Sequence, residues 1–202
     1  MLTVYHVPIT RSLRVLWLCQ ELELPHEVRT VDFGAAYRAS PEWRALNPVG
    51  KVPAMTDGNF TMFESGAMVQ YLLDRYGQGR LQPAPGTEAH GLYLQWSWFA
   101  EATYARPIGE IVNHRRAFGA DGEIPAVVEE MKGRVRLCSE AVDRALQGRD
   151  YLLGDHFSAA DIMMGYSVML AQRFSSTEGL DALNGYWARL SARPAWQRAA
   201  AA

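Results

Sequence analysis

The chain has 202 residues, of which 49% are hydrophobic, and its 20 basic and 22 acidic side chains give a formal net charge of −2. This balance argues against a nucleic-acid-binding surface and against attraction to an anionic membrane. The apolar runs are too short to span a bilayer and residues 1–6 lack the features of a signal peptide, so we expect a cytoplasmic protein. Cys19 and Cys138 lack metal-ligand spacing, so we expect inert core thiols and no metal.

The first half of the chain alternates strand-like and helix-like segments. Apolar residues from Val15 to Leu22 recur with the spacing of one helical face, and the Asp57-Gly58 pair is typical of a hairpin turn. The predicted elements are a strand over 2–7, a helix from Arg11, a strand over 26–33, a short helix over 40–48, a hairpin over 51–63 and a helix from Ser65 to Gly77. This order predicts a compact α/β layer.

The second half of the chain is predicted to be helical throughout. Residues 77–87 are rich in glycine and proline and have little periodicity, which is typical of a linker. We therefore predict three parts: a first domain over 1–78, a linker over 79–87 and an all-helical domain over 88–202. Within the last part, the helix that follows residue 88 is expected to kink near Pro107. Ser158 and Asp161 have the spacing of a capping box, which is a folding device.

Three motifs follow the first strand and helix: NPVGKVPA at 47–54, FESGAMVQYL at 63–72 and YLLGDHFSAADIMM at 151–164. In this order and spacing they resemble the glutathione transferase family, and we expect its cytosolic, bacterial serine-type, theta-like branch. The resemblance covers essentially the whole chain. It implies an α/β, thioredoxin-like domain followed by an all-α domain, with glutathione as co-substrate.

The resemblance also implies where glutathione lies on the first domain. Pro53 matches a cis proline that turns the strand so that the backbone of Val52 pairs with the cysteinyl part of the tripeptide. Glu64 would take the γ-glutamyl ammonium, while Ser65 and its helix terminus would take the γ-glutamyl carboxylate. Lys51 matches a basic residue near the glycine carboxylate. Without the resemblance, Pro53 would be an edge-strand proline and Ser65 a helix N-cap.

The reaction of this family requires a thiolate, and lowering a thiol pKa of about 8.5 by two units takes roughly 2.7 kcal/mol. A hydroxyl donor at a helix N-terminus supplies part of this. In serine-type members the active hydroxyl lies four residues before the arginine that matches Arg14, which gives Thr10. Ser12 is the serine by identity but is displaced by two residues, and Tyr5 is a third candidate. If none of these three hydroxyls is the donor, backbone amides or Arg11 would stabilise the thiolate instead. As purely structural residues, Thr10 would be an N-cap and Ser12 part of the first turn.

The chain has no cysteine between residues 5 and 15, so the disulfide exchange of cysteine-type relatives is disfavoured. The second substrate is expected between the domains, against the long helix after the linker. Tyr104 can share one face of this helix with Tyr93 and Trp96, and we expect it to contact that substrate. Such an aromatic pocket suits hydrophobic electrophiles.

These inferences give one leading hypothesis and two alternatives. The leading one is a cytoplasmic glutathione transferase of detoxification, which conjugates glutathione to small hydrophobic electrophiles and also reduces peroxides. A dedicated glutathione-dependent isomerase, dehalogenase or peroxidase is the first alternative. A non-catalytic glutathione-binding or assembly module is the second. The resemblance implies a homodimer.

Overall fold

The computed structural model describes residues 1–119 and 121–202, and these form two compact units. The first unit comprises Met1–Leu81 together with Ala192–Ala202, and the second comprises Gln82–Ser191. The structure therefore assigns the last eleven residues differently from the sequence prediction, which placed them in the helical domain.

The first unit is built on a four-stranded mixed sheet with strand order β2-β1-β3-β4. Strand β1 pairs in parallel with β2 and antiparallel with β3, while β3 and β4 form an antiparallel hairpin. The elements of this unit are β1 (Leu2–His6), α1 (Ser12–Leu22), β2 (His26–Thr30), α2 (Ala35–Ala39), α3 (Pro41–Leu46), β3 (Ala54–Asp57), β4 (Phe60–Phe63), α4 (Ser65–Tyr76) and α10 (Pro194–Ala200). This arrangement is the thioredoxin-like layer that the resemblance implies.

Most elements of this unit follow from local sequence signals. The Ser40 hydroxyl accepts a hydrogen bond from the Trp43 amide at 3.2 Å, and Pro41 occupies the first position of α3, as the sequence predicts. Gly58 has φ +59° in the turn of the β3–β4 hairpin. Helix α2 is absent from the sequence prediction because it is one turn long and buries no residue, so no apolar period marks it.

The last helix, α10, belongs to the first unit because its side chains complete the packing around α1. The Trp196 ring meets the Trp17 ring edge to face, with centroids 4.9 Å apart. Arg193 donates two hydrogen bonds to the Glu21 carboxylate, at 2.7 and 2.8 Å. A bidentate pair and a buried aromatic pair fix this segment on α1. Neither contact can be read from periodicity, which reports only that α10 is a helix.

In its described residues, the second unit is built from helices, as predicted. Its elements are α5 (Glu88–Trp98), a π-helical segment (Phe99–Tyr104), α6 (Ala105–Phe118), α7 (Pro125–Ala145), α8 (Ala159–Ala171) and α9 (Asp181–Ser191). The π-helical segment ends three residues before Pro107, so the change of winding precedes the predicted kink. Pro107 has no N–H and therefore cannot donate a hydrogen bond to a carbonyl of the preceding turn. The Ser167 hydroxyl of α8 donates to the Ala100 carbonyl at 2.9 Å and stabilises this segment.

The capping box at the start of α8 is confirmed. Asp161 Oδ2 accepts from the Ser158 amide at 2.8 Å, and Asp161 Oδ1 accepts from the Leu152 amide and from the Tyr186 hydroxyl. Burial raises the pKa of Asp161 despite these bonds. Within the described residues, none of the helices combines the length and the apolar character that crossing a bilayer requires.

Candidate functional site

The loop between β1 and α1 carries the two candidate hydroxyls. Ile9 has φ +63°, an uncommon conformation for a β-branched residue, and Arg11 occupies the N-cap position of α1. The Thr10 hydroxyl makes no capping bond and instead donates to the Val7 carbonyl at 2.7 Å. The structural alternative, in which Thr10 is the N-cap of α1, is therefore wrong.

Thr10 and Ser12 lie in hydrogen-bond contact with each other and with a histidine. Ser12 Oγ is 2.8 Å from Thr10 Oγ1 and 2.8 Å from His6 Nδ1, and it is 3.3 Å from the Val7 carbonyl. Ser12 and His6 are fully buried, whereas Thr10 is partly exposed. Of the two candidate hydroxyls, only Thr10 is therefore accessible to a ligand in this structure.

Tyr5 lies apart from this hydroxyl pair. Side chains alternate along β1, so Tyr5 faces the side of the sheet opposite to Val4 and His6. Its ring packs edge to face against Trp43 of α3, with centroids 5.7 Å apart. This placement is typical of an aromatic residue that packs against the sheet rather than of a donor next to the sulfur.

The loop that precedes β3 carries Lys51, Val52 and Pro53, and Asn47 organises it. Asn47 is buried, and its side-chain amide donates to the carbonyls of Lys51 at 2.8 Å and Pro53 at 3.3 Å. The Val52–Pro53 peptide bond is cis, as the resemblance implies. Lys51 is exposed.

Gly50 is required in this loop for two reasons. Its φ of +63° is one that side chains rarely adopt, and an added Cβ would lie 2.6 Å from the Arg38 carbonyl.

Glu64 and Ser65 form the junction between β4 and α4. Glu64 has φ +76° and occupies the N-cap position without a side-chain capping bond, so Ser65 is the first residue of the helix and not its N-cap. Ser65 is buried, and its hydroxyl accepts a hydrogen bond from Arg14 Nη1 at 3.3 Å. The first amides of α4 have no partner within the helix, and with the buried Arg14 guanidinium they make this junction electropositive.

Two residues of the site, His6 and Asn47, are absent from the sequence prediction. His6 follows Leu2 and Val4 with a period of two, so it could have been recognised as a histidine on the buried face of β1. Burial lowers the pKa of His6. Asn47 is the first residue of the motif at 47–54, but only the structure shows the carbonyls to which its side chain donates hydrogen bonds.

Tyr104 presents no surface to a ligand. It is fully buried in the second unit, and its hydroxyl lies 2.6 Å from Ser139 Oγ of α7. Burial raises the pKa of Tyr104 well above its usual value, and the hydrogen bond with Ser139 offsets part of this increase. The prediction that Tyr104 contacts the second substrate is corrected accordingly, because helical spacing identifies a shared face but not which face is enclosed.

The two cysteines are buried, as predicted. Burial raises the pKa of Cys19 to about 12 and also raises the pKa of Cys138. In residues 1–119 and 121–202, no group of three or more His, Cys, Asp or Glu side chains is arranged to hold a metal ion.

Comparisons with known proteins give relatives over most of the chain. Residues 1–74 match the family model described as the N-terminal domain of glutathione S-transferase. Glutathione S-transferase 3 of Schizosaccharomyces pombe is 26% identical in an alignment 211 residues long, which covers 99% of this chain and 87% of that protein. Glutathione S-transferase F11 of Arabidopsis thaliana is 29% identical over 193 residues, covering 92% and 90% of the two chains.

A solved structure matches the whole chain at the level of the fold. The glutathione transferase URE2P8 of Phanerochaete chrysosporium, solved with oxidized glutathione, is 26% identical and superposes with a TM-score of 0.88. The match covers 98% of this chain and 92% of that one. Residues 1–74 therefore match the N-terminal domain of the glutathione S-transferase family, and the chain as a whole is similar in sequence and in fold to proteins of that family.

Proposed function

We propose that the protein is a glutathione transferase that conjugates the glutathione thiolate to small hydrophobic electrophiles. One observation carries the proposal: Arg14 of α1 donates to Ser65 at the start of α4. Thr10 lies in the loop that precedes α1, and Arg14 lies in the first turn of that helix. A partly exposed hydroxyl donor and an electropositive helix terminus thus belong to one packed unit.

In this proposal glutathione lies along the first unit in an extended conformation. The Ser65 hydroxyl and the first amides of α4 bind the γ-glutamyl carboxylate, and Glu64 binds the γ-glutamyl ammonium. The backbone of Val52 pairs with the cysteinyl residue, in the loop that Asn47 holds in place. Lys51 lies near the glycine carboxylate.

Thr10 is the proposed hydroxyl donor to the glutathione sulfur. The thiol proton leaves to water, and the Thr10 hydroxyl stabilises the thiolate by a charge-assisted hydrogen bond. In conjugation, a sulfur lone pair forms the S–C bond and the leaving group departs with its bonding electrons. With a peroxide, the thiolate takes one oxygen to form a sulfenic acid and the alkoxide is protonated. A second glutathione then gives the disulfide and water.

The disulfide-exchange chemistry of cysteine-type relatives finds no support in this chain. Its two cysteines are buried with raised pKa values, and neither lies in the loop before α1. A nucleophilic protein thiol needs a lowered pKa and access to its substrate. We therefore propose activation of glutathione itself as the reaction step.

The remaining proposals concern the cellular setting. We propose a cytoplasmic homodimer that acts in detoxification, in agreement with the family. The theta-like branch stays a prediction, and the relatives reported above are fungal and plant proteins.

The proposal is tested by titrating the protein with glutathione in a calorimeter and by measuring conjugation to an activated aryl halide. We expect saturable binding of glutathione and thiolate-dependent product formation. Binding without turnover of aryl halides or peroxides would favour the non-catalytic module. Turnover of peroxides without conjugation of the aryl halide would favour a dedicated glutathione-dependent enzyme such as a peroxidase, and absence of binding would refute the transferase.

A further inference from the structure

The chain of polar atoms next to Thr10 contains more hydrogen bonds than its two hydroxyls can supply. Its four members are His6 Nδ1, Ser12 Oγ, Thr10 Oγ1 and the Val7 carbonyl oxygen. Successive members are separated by 2.8, 2.8 and 2.7 Å, and each of these distances requires a hydrogen between the two atoms. The hydroxyls of Ser12 and Thr10 contribute one hydrogen each, and a carbonyl contributes none.

The third hydrogen can come only from His6 Nδ1. If Nδ1 lacked its hydrogen, two acceptors would face each other at hydrogen-bond distance somewhere along this chain. A backbone hydrogen bond with Ala202 raises the pKa of His6 against the effect of burial, whereas within residues 1–119 and 121–202 no atom meets full hydrogen-bond geometry with Nε2. The assignment of the hydrogen to Nδ1 therefore rests on the three distances along the chain and not on the surroundings of Nε2.

The hydrogen on Nδ1 fixes the direction of every bond in the chain. His6 donates to Ser12, Ser12 donates to Thr10, and the Thr10 hydrogen is left to point outward, here to the Val7 carbonyl. Val7 also accepts from the Thr10 amide at 3.3 Å, so it keeps a hydrogen bond when the hydroxyl hydrogen turns away. Thr10 is the one member of the hydroxyl pair that a ligand can reach.

We propose that His6 is a positioning residue for thiolate formation, acting through Ser12 on Thr10 so that the Thr10 hydroxyl is free to donate to the sulfur of glutathione. This inference rests on the proposed function. Without the His6 donor, the Ser12 hydrogen would no longer be held toward Thr10, and the Thr10 hydrogen could turn inward to Ser12. Hydrogen-bond donors in series also polarise one another, which strengthens the bond from the Thr10 hydroxyl to the sulfur. Ser12 is then an internal link, which accounts for its complete burial.

The test compares three variants by the pKa of the bound glutathione thiol, read from thiolate ultraviolet absorbance. His6→Leu keeps an apolar side chain on the buried face of β1 but removes the donor. We expect it to raise the thiol pKa by roughly 0.4 to 1 unit, the equivalent of one ordinary hydrogen bond. His6→Asn places an amide N–H near the position of Nδ1 and is expected to restore most of this shift. Thr3→Val, which removes a hydroxyl on the opposite face of β1, is the control and is expected to leave the thiol pKa unchanged.

A double variant tells a positioning role from a general loss of structure. In the Thr10→Val background, His6→Leu is expected to cause no further change in the thiol pKa, because its effect passes through the Thr10 hydroxyl. The inference would be overturned if the two substitutions raised the thiol pKa additively. It would also be overturned if His6→Leu had the same thiol pKa as the unsubstituted protein. In either case, glutathione binding by the unsubstituted protein would leave the proposed function standing.

The histidine tautomer provides a measurement that needs no variant. Nitrogen NMR of the labelled protein with bound glutathione should show His6 neutral and protonated on Nδ1. Protonation on Nε2 would contradict the hydrogen count and with it the inference. If the protein does not bind glutathione at all, the proposed function fails first, and the tautomer measured on the protein alone still decides the hydrogen count.

Discussion

Replacing Thr10 by valine isolates the contribution of one hydroxyl to thiolate stability. Valine keeps the shape of threonine, and the Val7 carbonyl that loses the Thr10 hydroxyl still accepts the Thr10 amide at 3.3 Å. The Ser12 hydroxyl, which loses its contact with Thr10, keeps the Val7 carbonyl at 3.3 Å as an acceptor. We therefore expect a change of less than about 1 kcal/mol in the free energy of unfolding. The expected effect is on bound glutathione, because the thiolate loses its only proposed side-chain donor.

The size of the expected change in thiol pKa follows from the hydrogen bond that the Thr10 hydroxyl gives up and the one that it gains when glutathione binds. On binding, the Thr10 hydroxyl gives up a neutral bond to the Val7 carbonyl, worth about 1 kcal/mol net, for a bond to an anion, worth about 2 to 3 kcal/mol. The net gain of about 1.4 kcal/mol corresponds to about one unit of thiol pKa. Below this pKa, a rise of one unit lowers the thiolate fraction about tenfold. A more basic thiolate is also a better nucleophile, which offsets part of this loss. We therefore expect kcat/KM to fall about threefold to tenfold at pH values below the thiol pKa, and not to fall at high pH, where the thiol is fully ionised.

Ser12→Ala is the matched comparison for this experiment. Ser12 is fully buried, so its removal acts on the sulfur only through Thr10, and the rise in thiol pKa should be smaller than for Thr10→Val. The loss of unfolding free energy should be larger, about 1 to 2 kcal/mol, because His6 and Thr10 both lose a partner. A larger thiol shift in Ser12→Ala than in Thr10→Val would refute the assignment of Thr10 as the donor.

Ser65→Ala should weaken glutathione binding about tenfold by calorimetry with little change in Tm, because the bond that the hydroxyl accepts from Arg14 is long, at 3.3 Å. Trp196→Ala should lower the free energy of unfolding in urea by roughly 3 kcal/mol, since the nearly buried ring leaves a cavity beside Trp17. Asp57→Asn should destabilise the protein by about 1 kcal/mol at pH 7, because the Tyr76 hydroxyl, first among several causes, lowers the pKa of this carboxyl. This difference should disappear in acid, since stability from a carboxyl with a lowered pKa is lost as the pH falls through that pKa.

Each of these expectations has a contrary result. A large drop in Tm with unchanged affinity in Ser65→Ala would indicate a structural role for that hydroxyl. Wild-type stability in Trp196→Ala would show that α10 does not support the first unit. A stability difference for Asp57→Asn that persisted after the carboxyl is fully protonated in acid would separate it from the ionisation of the carboxyl.

The architecture was predictable because the signals that define it are local. The hairpin turn at Asp57-Gly58, the cap at Ser40 and the capping box at Ser158 each involve residues within a few positions of one another. Helix α2 and the attachment of α10 were not predictable in this way. The first buries nothing, and the second depends on Trp17 and Trp196, which are far apart in sequence.

The site was predictable at the level of residue types and only partly at the level of roles. The resemblance brings Thr10 and Ser12 to attention, but only the structure distinguishes a partly exposed hydroxyl from a fully buried one. Tyr104 failed as a substrate contact because periodicity does not tell a lining face from an enclosed face. His6 was not predicted as a site residue because its contact with Ser12 crosses a loop, and sequence spacing does not predict such a contact.

The central claim is that this chain binds glutathione and stabilises its thiolate through the Thr10 hydroxyl. The most direct test is an ultraviolet difference titration of glutathione bound to the unsubstituted protein, followed from acid to alkaline pH. The account predicts that the thiolate band of bound glutathione titrates about two units below the free thiol pKa of about 8.5. A thiolate band that appears only at the pKa of free glutathione would contradict it.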